Sequence, residues 1–156
     1  MRLPDFPQEG GCQCGAVRYR LKAAPLSVYN CHCKDCQRFS GAGWSMSMIA
    51  RQEDIEQLSG ETVRYDRRAD SGNVIAMHFC AHCHGWVWNL PPMPGIRVMR
   101  AGTLDNIDWA VPVGNIWTQS KAAWVTIDPA LVNFPGQAND RQPLYDAWTH
   151  STREDN

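Results

Sequence analysis

No stretch of the chain approaches the roughly 20 consecutive apolar residues that a membrane-spanning helix needs, although 44% of its residues are hydrophobic. The apolar residues are spread over short segments instead, which predicts a globular protein with no membrane partner. An excess of either charge is missing too. Fifteen Lys and Arg against 16 Asp and Glu leave a formal net charge of −1 with no basic run, so nothing draws the whole chain toward nucleic acid. The N-terminal MRLPDFPQEGG has no basic start followed by an apolar run, the pattern of a secretory leader, and a cytoplasmic location is the expectation. Helix signals are few and short. The best are residues 33–39, residues 52–58 and a turn at 128–132, where Asp128 could cap and Pro129 could take the first helical position. No linker divides the 156 residues, a length suited to a single domain over 1–156 with its own core. From about Asp140 to Asn156 the chain is polar and is expected to be loosely held.

Cysteine is present in quantity. Seven of them fall into tight groups written GCQCG, CHCKDC and FCAHC: Cys12 and Cys14, then Cys31, Cys33 and Cys36, then Cys80 and Cys83. An odd number in a chain with no secretory signal argues against a disulfide framework. A redox pair needs a strand followed by a thioredoxin-like helix start, and neither CKDC nor CAHC sits in that pattern. Zinc fits better. A structural zinc takes four ligands and a catalytic zinc typically three protein ligands with one open position, and seven thiols supply one of each. The count alone allows more than one division, since Cys12 and Cys14 paired with Cys33 and Cys36 would also leave three. Chain geometry favours the compact triplet as one group, because three thiolates within six residues can fold over one ion from a single turn.

The apolar pattern is mostly of period two, the mark of strands with one buried face. Val17, Tyr19 and Leu21 alternate with Arg18 and Arg20; Trp44, Met46 and Met48 alternate with Ser45 and Ser47; Trp86, Trp88 and Leu90 bracket Val87 and Asn89. Further strands are predicted at 63–66, 74–79, 96–101 and 115–118, punctuated by Ser59-Gly60, Ser71-Gly72 and Pro91-Pro92. The fold class expected is mainly β with short helical turns, and the cysteine groups lie at strand ends, where ligands from different strands can converge.

Taken together in this order, GCQCGAVRY, CHCKDCQRFSGAG, FCAHC, GTLDN and IWTQSKAAW resemble the family of glutathione-dependent formaldehyde-activating enzymes, which also contains centromere protein V. The likeness runs from Gly11 to about Phe134. It implies an Mss4-like β fold with two zinc ions per chain: a structural zinc on Cys12, Cys14, Cys80 and Cys83, and a catalytic zinc on Cys31, Cys33 and Cys36. One departure stands out. The family's last knuckle usually reads Cys-x-x-Cys-Gly, with glycine in an unusual backbone angle, whereas here His84 separates Cys83 from Gly85. The knuckle is therefore expected to be rearranged locally, or His84 to join as a ligand; a surface histidine is the plainer reading. His32, inside the triplet, could face toward the ion or away from it, and His78 and His82 are equally ambiguous.

Ligand charge indicates the chemistry. Three thiolates over-neutralise Zn²⁺ and leave a complex of net charge −1, a weak Lewis acid poorly suited to making hydroxide. Such a site suits capture of a substrate thiol as thiolate, whose sulfur stays nucleophilic. The resemblance implies a carbon-sulfur lyase reaction: addition of glutathione to formaldehyde, giving S-hydroxymethylglutathione, and its reverse. Glutathione carries two carboxylates, so Lys34, Arg38 and Lys121 are candidate contacts, with Trp44 and Trp117 as candidate pocket walls; ordinary surface cations and core tryptophans are the bland alternatives. Two other functions compete: a zinc-stabilised binding module without catalysis, and the same zinc-thiolate chemistry on another small thiol or electrophile.

Overall fold

The computed structural model describes residues 1–69 and 72–153. Its strands are β1 (Gln8–Gly11), β2 (Arg18–Leu21), β3 (Ser27–Cys31), β4 (Ser45–Arg51), β5 (Ile55–Ser59), β6 (Thr62–Arg68), β7 (Val74–Cys80), β8 (Trp86–Leu90), β9 (Ile96–Arg100), β10 (Gly114–Ile116) and β11 (Val132–Asn133). The α-helices are α1 (Lys34–Ser40) and α2 (Gln142–Thr152). This is the mainly β class expected. The strands form a small sheet in the order β1-β2-β5 and a large one in the order β11-β10-β3-β4-β9-β8-β7-β6.

Strand alternation divides the apolar residues between two cores. Val28, Met48, Met99 and Trp88 leave one face of the large sheet and meet Val17, Tyr19 and Leu21 of the small sheet's buried face. Tyr29, Cys31, Ile49 and Val98 leave the other face and meet Ile116 and Leu144. The pairing of Tyr29 with Ser47 and of Ile49 with Val98 fixes that register, and a slip of one residue would exchange the two cores.

Three sequence expectations fail here for physical reasons. Residues 52–58 do not form a helix; Gln52–Asp54 is a single 3-10 turn, and Ile55–Ser59 is an edge strand antiparallel to β2. Its Glu and Gln favour helix locally, but pairing with β2 prevails. The alternation around β4 is also incomplete. Trp44 lies before the strand and is exposed, while Ser45 and Ser47 are buried because β4 is central and both its faces are covered. The stretch after Asp140 is not loose through its length: α2 places Leu144 and Trp148 among the most buried side chains. Residues 154–156 of that tail lie outside the described residues, as does Ser71 of the expected turn at 71–72.

Helix α2 joins the two cores, with Leu144 in one and Trp148 in the other. Ser27 donates its hydroxyl to the Leu144 carbonyl at 3.2 Å, which pins the helix to β3. Leu144→Ala should therefore destabilise the protein by about 3 kcal/mol, the ordinary range for a fully buried leucine. Urea denaturation measures this, and a change below about 1 kcal/mol would mean that α2 is not part of the packed structure.

Candidate metal centre

Cys12 and Cys14 sit in the turn between β1 and β2, Cys80 ends β7, and Cys83 lies in the turn to β8. The register brings these distant pieces together: all four sulfurs lie within 4.8 Å of one another. The Sγ–Sγ distance is 3.4 Å for Cys12 and Cys14 and 3.8 Å for Cys14 and Cys80. A tetrahedral zinc with bonds of about 2.3 Å to sulfur sets its ligands about 3.8 Å apart, whereas a disulfide needs about 2.05 Å. The spacing fits a shared metal ion. Backbone N–H groups aim at the sulfurs, from Val17 to Cys12 at 3.3 Å, and from His82 and Cys83 to Cys80 at 3.4 and 3.5 Å. Such donors favour thiolate. Hydrogen bonding to the backbone at Gly85, then at Cys14, brings the Cys83 thiol down to about 6.

The Cys80–Gly85 knuckle keeps its form despite His84. That residue adopts φ 56, the left-handed conformation a glycine would hold there, and its N–H donates to the Cys80 carbonyl at 3.0 Å. Cys80 N–H donates in turn to the Gly85 carbonyl at 3.0 Å. The local rearrangement expected from the departure does not occur; the backbone accepts the strain instead. Among the described residues no histidine joins either sulfur group.

Cys31, Cys33 and Cys36 form the second group, again with sulfurs within 4.8 Å. Cys31 ends β3, Cys33 is the N-cap of α1, and Cys36 lies in its first turn. The Cys33 sulfur accepts the Cys36 N–H at 3.4 Å, so one atom both caps the helix and faces the site. Gly41 ends the helix at φ 66, where a left-handed residue is required. The sulfurs are too close for all three to ionise unaided. Hydrogen bonds from Cys31 and then Cys36 bring Cys33 down to about 2, while Cys31 is pushed well above the usual thiol value by Cys33, by Cys36 and by its burial. A soft dication is what would let all three become thiolates.

Two arginines that the sequence did not single out approach this triplet. Arg67 of β6 bonds Asp35, which lies within the triplet, at 2.5 Å. Arg100 of β9 is 6% exposed, donates to Ser45 Oγ at 2.8 Å, and stacks its guanidinium 4.0 Å from the Trp86 ring centre. An aromatic wall continues outward, with Phe39 5.4 Å from Trp86 and 5.6 Å from Phe79, centre to centre, and Tyr65 beyond it.

The candidate substrate contacts fall into two sets. Trp117 packs in the same cluster as the three cysteines, held at φ 60 with its indole N–H on Gln137 Oε1 at 3.2 Å. Trp44 lies 6.0 Å from the His32 ring. Arg38 and Lys34 instead project from the outer side of α1; Arg38 is 77% exposed and pairs with Asp35 at 3.5 Å, and Lys34 reaches Gln37 at 3.2 Å. Lys121 is half-buried after the 3-10 turn Thr118–Ser120. His32 is buried, with Nε2 3.0 Å from Asn115 Oδ1. Asn133 donates its amide to two backbone carbonyls and so accepts from Asn115 Nδ2, which leaves Asn115 Oδ1 as the acceptor and puts a hydrogen on His32 Nε2. His82 and His84 are exposed, and His78 bonds Thr62 at 3.0 Å and stacks on Trp88. Two shallow hollows, one around Leu3 and Trp109 and one along residues 90–96, contain none of the seven cysteines.

The fold is mainly β and carries a four-sulfur and a three-sulfur group, each of which could hold a metal ion. The family model for the glutathione-dependent formaldehyde-activating enzyme matches residues 7–120, and the chain belongs to that family. The match begins just before Gly11 and stops inside the Ile116–Trp124 segment. A Halomonas elongata protein provisionally named as a glutathione-dependent formaldehyde-activating enzyme is 27% identical over 127 residues, covering 77% of this chain and 80% of its own length. A Rhodobacter sphaeroides protein of known crystal structure shares the fold, with a TM-score of 0.52 and 17% identity over 81% of this chain and 98% of that one. Among the described residues no helix is long and apolar enough to cross a membrane.

The left-handed angle at His84 gives a direct test of the knuckle. Such a conformation costs a non-glycine residue about 1–2 kcal/mol, partly offset by the greater freedom glycine loses on folding, about 0.5–1 kcal/mol. His84→Gly should therefore stabilise the fold by about 0.5–1 kcal/mol with metal content unchanged. A lower melting temperature together with loss of metal would instead make His84 a ligand.

Proposed function

We propose that the chain is a single zinc-binding domain acting as a carbon-sulfur lyase, adding the thiol of glutathione to formaldehyde to give S-hydroxymethylglutathione and catalysing the reverse cleavage. The observation that carries this reading is the size of the second sulfur group: three thiols and no fourth protein ligand among the described residues, beside an ordinary four-sulfur group in the same chain. Cys12, Cys14, Cys80 and Cys83 hold a structural zinc. Cys31, Cys33 and Cys36 hold the catalytic one, for a total of two per chain.

Zinc bound to the triplet supplies the positive charge that lets an incoming thiol lose its proton. The chain's own residues do the rest. Cys31 is fixed by β3 and Cys33 and Cys36 by the first turn of α1, so the three sulfurs leave one side free for the substrate. Trp117 and Trp44 bound that side and exclude water. Lys34 and Arg38 on the outer side of α1 and Lys121 beyond the Thr118–Ser120 turn supply cations on the approach to the site, suited to the two carboxylates of glutathione. Held there, the glutathione sulfur attacks the aldehyde carbon; a C–S bond forms, the carbonyl π pair moves to oxygen, and that oxygen takes the proton the thiol released. The protein contributes thiolate formation and proximity. Seven unpaired thiols suit a reducing cytoplasm.

Two serine substitutions separate the sites. Cys83→Ser removes a ligand whose partners come from distant strands, so stability and soluble yield should fall strongly. Cys33→Ser places serine, a preferred N-cap, at the start of α1; the fold should survive, one zinc should be lost, and glutathione binding and formaldehyde-dependent turnover should disappear. Zinc counts, thermal melts and NMR detection of the adduct measure all three. Reversed phenotypes would exchange the two roles. A wild-type chain with two zincs that neither binds glutathione nor accelerates adduct formation would be a binding module and not an enzyme.

A further inference from the structure

Among the described residues, Arg100 is a buried cation with no carboxylate partner. Its side chain makes one hydrogen bond, to the Ser45 hydroxyl, and its Nε is buried with none. Among the described residues no Asp or Glu lies within ion-pair distance of it. Arg67 is different, because Asp35 already neutralises it. A guanidinium removed from water and left unpaired is strongly unfavourable, so a buried one ordinarily faces an anion.

The register shows which anion is available. Ser45, which Arg100 bonds, is the direct cross-strand partner of Cys31, and Arg100 itself pairs with Ser47 on the same side of the large sheet. Tyr29 and Cys31 of β3 share that face. The stack on Trp86 holds the guanidinium plane on one side and excludes water from it. Three thiolates with one Zn²⁺ sum to −1, and a fourth, substrate thiolate would bring the sum to −2.

We propose that Arg100 is a positioning residue that serves as the buried counter-charge of the metal-loaded triplet, raising its affinity for zinc and favouring entry of an anionic fourth sulfur. The inference rests on the triplet holding zinc, as proposed above, but not on the identity of the thiol. Arg100 would touch neither substrate nor metal; it acts through Ser45 and through its field.

The test is chelator competition on the full chain, which resolves one zinc constant per site; the Cys33→Ser chain identifies the constant of the four-cysteine site. Arg100→Met, which keeps length and apolar stem but loses charge, should weaken the triplet's zinc affinity by about tenfold to a hundredfold, the ordinary effect of losing a group that supports metal ligands. Arg100→Lys should retain most of it, and the four-cysteine constant should not change in either. Melting temperatures give an independent sign. Arg100→Met should destabilise the zinc-loaded wild-type background and stabilise the Cys33→Ser background, where the counter-charge has lost its anion. Should Arg100→Met fail to fold, Arg100→Gln, which keeps a donor for Ser45, replaces it. Unchanged zinc affinity in the neutral variant, an equal loss in the methionine and lysine variants, or the same sign of melting shift in both backgrounds would overturn the proposal. A wild-type chain binding only one zinc would overturn the two-zinc reading instead.

Discussion

The approach of Cys14 to Cys80, sulfurs 3.8 Å apart across 66 residues of chain, ties the small sheet to the end of β7. Much else depends on that tie. Cys12 and Cys80 are themselves members of the core that Val17, Tyr19 and Leu21 form against the large sheet. Four sulfurs gathered at one point would repel one another as thiolates, so a metal ion held there would turn an electrostatic liability into a crosslink. Its binding free energy would become folding free energy. The protein is large enough to have a real core, and an ion held there would fix how its two sheets meet.

The triplet obeys the opposite logic. Its three sulfurs come from one strand end and one helical turn, so no long-range closure is needed to assemble them. The large sheet's other face supports the site from below, with Cys31 and Tyr29 packed beside Ile49 and Val98. Around it stand a tryptophan in a left-handed conformation, an aromatic wall and two arginines from separate strands. On the proposed function, the two sulfur groups divide the work of holding the fold and of presenting a reactive position.

What was legible in the sequence was short in range. The cysteine groups, the helix beginning near Cys33 and the alternation of Val17, Tyr19 and Leu21 are all encoded within a few residues, and each appears where expected. The segment 52–58 was misread because Gln and Glu favour helix locally while pairing with β2 imposes a strand. Helix α2 gives little apolar periodicity, because it buries only Leu144 and Trp148 of its eleven residues, and it begins without a side-chain cap at Arg141, although Pro143 in its first turn is itself a helix-start signal. Arg67 and Arg100 gave no local signal either. Their place beside the triplet comes from strand pairing across the large sheet, and an arginine's burial is invisible without its neighbours. His84 shows the reverse case: the sequence flagged a missing glycine, and the backbone kept the glycine's angle.

The central claim is that the triplet is an open metal site whose remaining position takes a thiol. Cobalt substituted for zinc reports sulfur coordination directly, through its thiolate-to-metal charge-transfer absorption. Titration of the dicobalt chain with glutathione should intensify that band and saturate at one glutathione per chain, with the four-cysteine contribution constant. Glutathione binding that leaves the spectrum unchanged, or a band already saturated before any glutathione is added, would contradict the account.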